Sequence, residues 1–346
     1  MATQGRSFWI LDDVPMLHQL NGNASTGSAS TDAAHLFKPK DAYRFGGGFR
    51  FGGGGRGGAM GENPAGGALV YYSLQSSPQG EVTLEFLDSA GKPVNRFSSR
   101  APEPAPPPAE LDDENPFRGA APARVADATG LNRFVWNLRY PDATSFPGLI
   151  MWAGSVTGPR VAPGQYQVRL TVGGKSQTES FEVKKDPRLE TTPEDYARQV
   201  ALSLQIRDKL SAVNDSVIRI RELRKQLEEY TKRDNQKIAG AATDLVNRLT
   251  AVEENLYQTK NRASEDPLNF PIKLNNKLAH VLIVVQSSDA QPTAQSYMVY
   301  EDLATRVNAE LKKLEALTGP ELTAFNKMIR DENVPAVQAP AKKAGQ

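Results

Sequence analysis

With 346 residues the chain is long enough for two or three domains, and its 41 basic and 40 acidic side chains create no global field favouring nucleic acid or anionic lipid. The absence of cysteine excludes disulfides and thiolate chemistry without fixing a compartment. No apolar run approaches the roughly 20 residues that span a bilayer, so no transmembrane segment is expected.

The opening stretch GRSFWILDD sets the apolar run Trp9 to Leu11 between Gly5 and the turn residues Asp12, Asp13 and Pro15. This pattern predicts a short strand over 5–14, buried on both faces and in need of partners. The polar NGNASTGSASTDAA that follows has no periodicity and offers none up to about Lys40. Phe8 to Leu11 is too short for the apolar core of a signal peptide, and acids stand where small residues would mark cleavage. As written the chain is therefore expected to be soluble, and either cytoplasmic or truncated.

FGGGFRFGGGGRGGAMGENPAGGA, over 45–68, is too glycine-rich to offset its ordering entropy and is expected to be a loop within a linker over 21–63. A Pro-rich insertion, 101–123, favours extended polyproline conformations. Around these loops the apolar period is two. ALVYYSL (68–74) is one strand; Val82, Leu84 and Phe86 share a face of the next, with a turn over Asp88 to Gly91. Phe134, Trp136 and Leu138 point inward on a further strand. So do Tyr166, Val168, Leu170 and Val172 before Gly173-Gly174, and Phe181 and Val183 after it. The strands suffice for a small antiparallel β-sandwich over 64–185.

At Asp186-Pro187 the period changes. Thr192 as N-cap, Pro193 at the first helical position and the acids Glu194 and Asp195 predict a helix start. Ile206, Leu210, Val213, Val217, Ile220 and Leu227 then form one stripe along a helix over 193–232. Three partner helices follow, carrying Leu245 to Leu256, Leu274 to Val285 and Tyr300 to Leu317, and Gly319-Pro320-Glu321 starts a short terminal one. An antiparallel helical bundle over 186–333 is expected, with a disordered Ala/Pro/Lys tail over 334–346. The fold class is thus α+β and multi-domain.

Few residues suggest chemistry. His18, His35 and His280 are the only histidines and lack helical spacing, so packing or surface roles are expected and no metal or other cofactor is implied. Asp12-Asp13 reads as strand-end turn chemistry, and Asp112, Asp113 and Glu114 as a solvated acidic loop without a calcium-loop frame. Phe45, Phe49 and Phe51, interleaved with Arg44, Arg50 and Arg56, look like RNA-binding RGG segments, but a single short copy in a neutral chain favours a linker. Trp136, Tyr140, Phe146 and Trp152 are candidates for an aromatic platform. Trp136 belongs to a strand core, which leaves Trp152, in the loop PGLIMWAGS, as the candidate ligand-binding residue. No catalytic residue is assigned.

GRSFWILDDVPMLHQL, HLFKPKDAYRF, GLNRFVWNLRYPDA, PGLIMWAGSVTGPRVAPGQYQVRLTVGGK and NFPIKLNNKLA together resemble the C-terminal part of bacterial sortilin/VPS10-like proteins. Those are large exported proteins with BNR-type repeats, often named as glycosyl hydrolases or exo-sialidase-like. Gly130 to Val172 is also similar to the Ig-like domain of flagellar hook-capping proteins. The resemblance implies that a β-propeller precedes this region, that residues 1–20 are the remnant of its terminal blade, and that 64–185 is Ig-like. It implies a periplasmic or extracellular family. The BNR Asp-box is missing here, so no propeller site residue carries over. The expected role is a non-catalytic accessory region that packs domains or binds a protein or glycan partner, without nucleic acid. The alternatives are part of a sialidase-like hydrolase whose active site lies on the propeller, and a structural module that forms homo-oligomers through the bundle. A dimer is expected if the stripe on helix 193–232 exceeds what its partner helices cover.

Overall fold

Alternating apolar residues bring two sheets together around one core. The computed structural model describes residues 14–25, 33–45, 66–100, 123–332 and 337. After helix α1 (Val14–Ser25) come β1 (Ala34–Leu36), β2 (Ala42–Arg44), β3 (Ala68–Leu74), β4 (Val82–Asp88), β5 (Pro93–Ser98), β6 (Gly130–Trp136), β7 (Gly164–Val172) and β8 (Lys175–Lys185). One sheet has the order β1-β3-β6, the other β2-β8-β7-β4-β5. All pairings are antiparallel except β2 with β8, which sets Ala42 beside Val183 and Arg44 beside Lys185.

The inward faces are those that the alternation predicts, except that Leu138, though buried, lies past the end of β6 with φ of 58°. Val70, Tyr72 and Leu74 from one sheet meet Leu84, Phe86, Val168, Leu170 and Phe181 from the other. Trp136 stacks on Phe86 at 4.3 Å between ring centres, and its Nε1 donates to the Arg139 carbonyl at 3.0 Å, so the indole is buried with its polar end satisfied. Gly173 and Gly174, with φ of 56° and 80°, make the two-residue β7–β8 hairpin turn.

The sequence reading is corrected in the first segment. Residues 34–36 and 42–44, expected to be linker, are strands of the two sheets, and α1 takes in 14–20, expected as part of a blade remnant, together with 21–25 of the expected linker. Gln19 explains part of this: its side chain accepts from Lys38 N at 2.9 Å and donates to Lys38 O at 3.0 Å, tying α1 to the segment between β1 and β2. Of the expected strand 5–14 only Val14 is described, and it opens α1. The other residues of that strand, most of the Gly-rich stretch, the Pro-rich insertion up to 122, and Asp12, Asp13, Asp112, Asp113 and Glu114 lie outside the described residues.

The second half is helical: α2 (Pro193–Thr231), α3 (Gln236–Leu256), a 3₁₀ turn (Asp266–Leu268), α4 (Leu274–Val285), α5 (Ala294–Ala316) and α6 (Leu322–Asp331). Thr192 and Asp195 form a reciprocal capping box at the start of α2. Every member of the predicted α2 stripe is fully buried, against the inner faces of α3, α4 and α5. The expected break at Gly319-Pro320 is instead a π-helical turn, Leu317–Glu321, that carries α5 directly into α6. The wider turn accommodates a proline that has no N–H to donate. In the predicted tail, Val337 is buried and held in both directions by Asn326, which donates to its carbonyl and accepts from its N–H. Among the described residues no helix is long and apolar enough to cross a membrane.

Candidate functional site

The connection from Asn137 to Pro163 leaves the sheets at Trp136, crosses the helices and returns at β7. Polar side chains on α2 and α4, and one just past the end of α3, hold it down. Ser211 Oγ accepts from Thr144 N at 3.1 Å, and Asn214 Nδ2 donates to Thr144 O at 2.7 Å. Phe146 enters the helical core edge-on to Tyr257 at 5.1 Å, with the Arg221 guanidinium 4.8 Å from its ring centre. Tyr257 Oη donates to Gly148 O at 2.8 Å and accepts from Ile150 N at 3.3 Å.

The last anchor sits under Trp152. The buried Asn276 amide accepts from Trp152 N at 2.7 Å and donates to Trp152 O at 2.8 Å, acting on that peptide as a neighbouring strand would. Asn275, also buried, accepts from Asn276 N at 2.7 Å and donates to Asn214 Oδ1 at 3.4 Å, linking the two anchors. Ala153 follows with φ of 45°, a left-handed conformation that costs an L-residue about 1–2 kcal/mol. Gly154 then runs so close to α4 that a Cβ there would lie 3.0 Å from Asn276 Nδ2 and 3.2 Å from Ala279 Cβ. His280 Nδ1 is 3.3 Å from Ala153 O. The result is an indole 45% exposed at the tip of a loop fixed on both sides.

The four candidate aromatics therefore do not form one platform. Trp136 and Phe146 are buried in different cores and Tyr140 is half-buried; of the four, Trp152 alone is exposed. The histidines are apart as well: His18 on α1, His35 on β1 with its ring edge-on to Phe37, and His280 on α4. Among the described residues no three His, Asp or Glu side chains gather as a metal ion would need.

A second polar cluster joins the sheets to the helices. Arg44 of β2 is buried, so it is not available for the base stacking that an RGG segment uses. Its guanidinium donates to Asp289 Oδ1 (2.9 Å), Gln199 Oε1 (2.6 Å) and Val161 O (2.7 Å), and lies 4.7 Å from the Tyr196 ring centre. Arg139 and Arg160 pair across an isolated bridge beside it, and Gln286 Oε1 accepts from Arg160 N and Arg139 Nη1. Burial, with the Arg160 and Arg44 charges nearby, pulls Arg139 down to about 10. Every acceptor given to Arg44 comes from another element, so this cluster fixes the relative placement of sheet and helix. Phe45, beside it, is exposed, with Tyr43 stacked on it at 5.4 Å.

Sequence reasoning singled out Trp152 but missed Asn276, Ala153 and Gly154, which hold it. The available signal was the doublet in KLNNKLA: two adjacent amides where a helix otherwise presents an apolar stripe. Compared with protein-family models, curated proteins and solved structures, the chain matches none of them.

Proposed function

We propose that this chain is a non-catalytic interaction region of an exported, sortilin-like BNR-propeller protein. In this reading an Ig-like β-sandwich and an antiparallel helical bundle form the scaffold for a protein or glycan contact centred on Trp152. The observation that carries the reading is how Trp152 is presented: a large apolar side chain left 45% exposed while its peptide is held by the buried Asn276 amide and the next residue, Ala153, is strained. Strain of that kind persists only where the surroundings over-determine it, and it clusters at functional positions. The exposed indole leaves roughly 100 Å² of apolar surface, about 2–3 kcal/mol, for a partner to cover. Tryptophan is also the residue type most often found to dominate interface energetics, and its face suits the CH face of a sugar ring.

The structural-module alternative loses its expected source of surplus, because the α2 stripe is covered by α3, α4 and α5 within the chain. Glycan-array and pull-down measurements on wild type and Trp152→Ala test the proposal. The expected result is partner signal that falls at least about tenfold in a Trp152→Ala protein of unchanged melting temperature. Unchanged signal, or glycoside turnover abolished by a point change in this chain, would overturn it.

A further inference from the structure

The other walls around His280 belong to an open groove of about 560 Å³ between α4 and α5. Its floor is apolar, with Val281 and Leu303, and its lip carries Met298 and Val299, which are 67% and 47% exposed at the start of α5. Val281 and Leu303 are themselves part of the buried helical core, so the accessible apolar surface of the groove is Met298 and Val299. The charges along the groove are unequal. Asp302 is engaged by Arg306 at 3.4 Å, whereas Lys277 makes no ion pair among the described residues.

We propose that this groove docks an amphipathic helix of a partner protein, with apolar side chains over Met298 and Val299 and a carboxylate at Lys277. The inference rests on the reading of the chain as an interaction region and gives that region a second, adjoining contact. Shape argues for a helix over a small molecule: an open trough would leave most of a small ligand wet, whereas a helix needs only one face covered. The ridge-lined floor between two helices suits side chains spaced three and four apart, and the unbranched Met298 can repack around them. Charge argues for an acid, because Lys277 is the groove's cation that makes no ion pair among the described residues.

A display library of helical peptides of about 16 residues, selected on the full chain alone, tests this, with Val299→Asp kept as a separate binding control. The expected winners carry apolar residues at helical spacing with one Asp or Glu. Their dissociation constants should rise at least about tenfold in Lys277→Glu and recover when the peptide acid is changed to lysine. Three results would overturn the proposal: equal binding to Val299→Asp, no effect of Lys277→Glu, or a sedimenting dimer that dissociates in Val299→Asp, which would make a second copy the occupant. Failure here leaves the Trp152→Ala comparison intact, and failure there leaves this one intact, so the two readings fall separately.

Discussion

Replacing Asp289 with alanine removes the carboxylate that Arg44 pairs with, while both side chains are only 2% exposed. Breaking a buried pair by deleting one partner costs about 3–5 kcal/mol, because the remaining charge is left in a poorly solvating site. Arg44 keeps part of its compensation here: the Gln199 and Val161 oxygens still accept from it, and the Tyr196 ring lies against the guanidinium. The lower end, about 3 kcal/mol, is therefore expected, a large fraction of the roughly 5–15 kcal/mol by which domains are stable. Urea unfolding followed by both tryptophan fluorescence and circular dichroism measures it. The double variant Arg44→Met/Asp289→Leu should recover only part of the loss, since it removes the uncompensated charge but takes the donor away from Gln199 Oε1 and Val161 O. A cost below about 1 kcal/mol for Asp289→Ala, the range of a solvent-exposed pair, would refute the junction as described.

Ala153→Gly should be neutral to about 1 kcal/mol stabilising, because relief of the left-handed strain outweighs the added chain entropy, whereas Ala153→Val should destabilise; thermal melts of both variants decide. Gly158→Ala would place a Cβ 2.0 Å from Tyr140 O and 2.5 Å from Pro141 O, so a backbone shift costing about 3 kcal/mol is expected in the same melts. Stability should fall as pH rises above about 10. Burial raises the phenols of Tyr72, Tyr140, Tyr166, Tyr196, Tyr257 and Tyr300, so above the unfolded-state value the unfolded chain gives up protons that the folded chain keeps. Arg139, lowered to about 10, and Arg160, also lowered by burial, act in the opposite direction, since the folded state then holds fewer protons than the unfolded one, but they are two groups against six. Melting temperature and phenolate absorbance through an alkaline titration check the sign; a flat profile would contradict it.

Much of this architecture could be read from periodicity because the elements bury one face each. Val82, Leu84 and Phe86 needed only alternation, and the α2 stripe only steps of three and four. What could not be read depends on partners remote in sequence. A three-residue strand such as β2 has no period to detect, and it exists because β8 pairs with it and because Asp289, 245 residues on, receives Arg44. The continuous passage from α5 into α6 was hidden for a local reason: Gly319-Pro320 is punctuation in most contexts, and a π turn absorbs it here. Trp152 was recognisable as a loop tryptophan outside any alternation. Its exposure and its anchoring were not, since Asn276 lies 124 residues away and reads as an ordinary helical amide.

The most direct test of the account is a calorimetric titration of the strongest array partner into wild type and Trp152→Ala. A protein that folds as before and binds at least about tenfold more weakly would match the use of the exposed indole proposed for this loop. Affinities equal within about twofold would contradict it, and would leave the strained turn at Ala153 as a feature of packing alone.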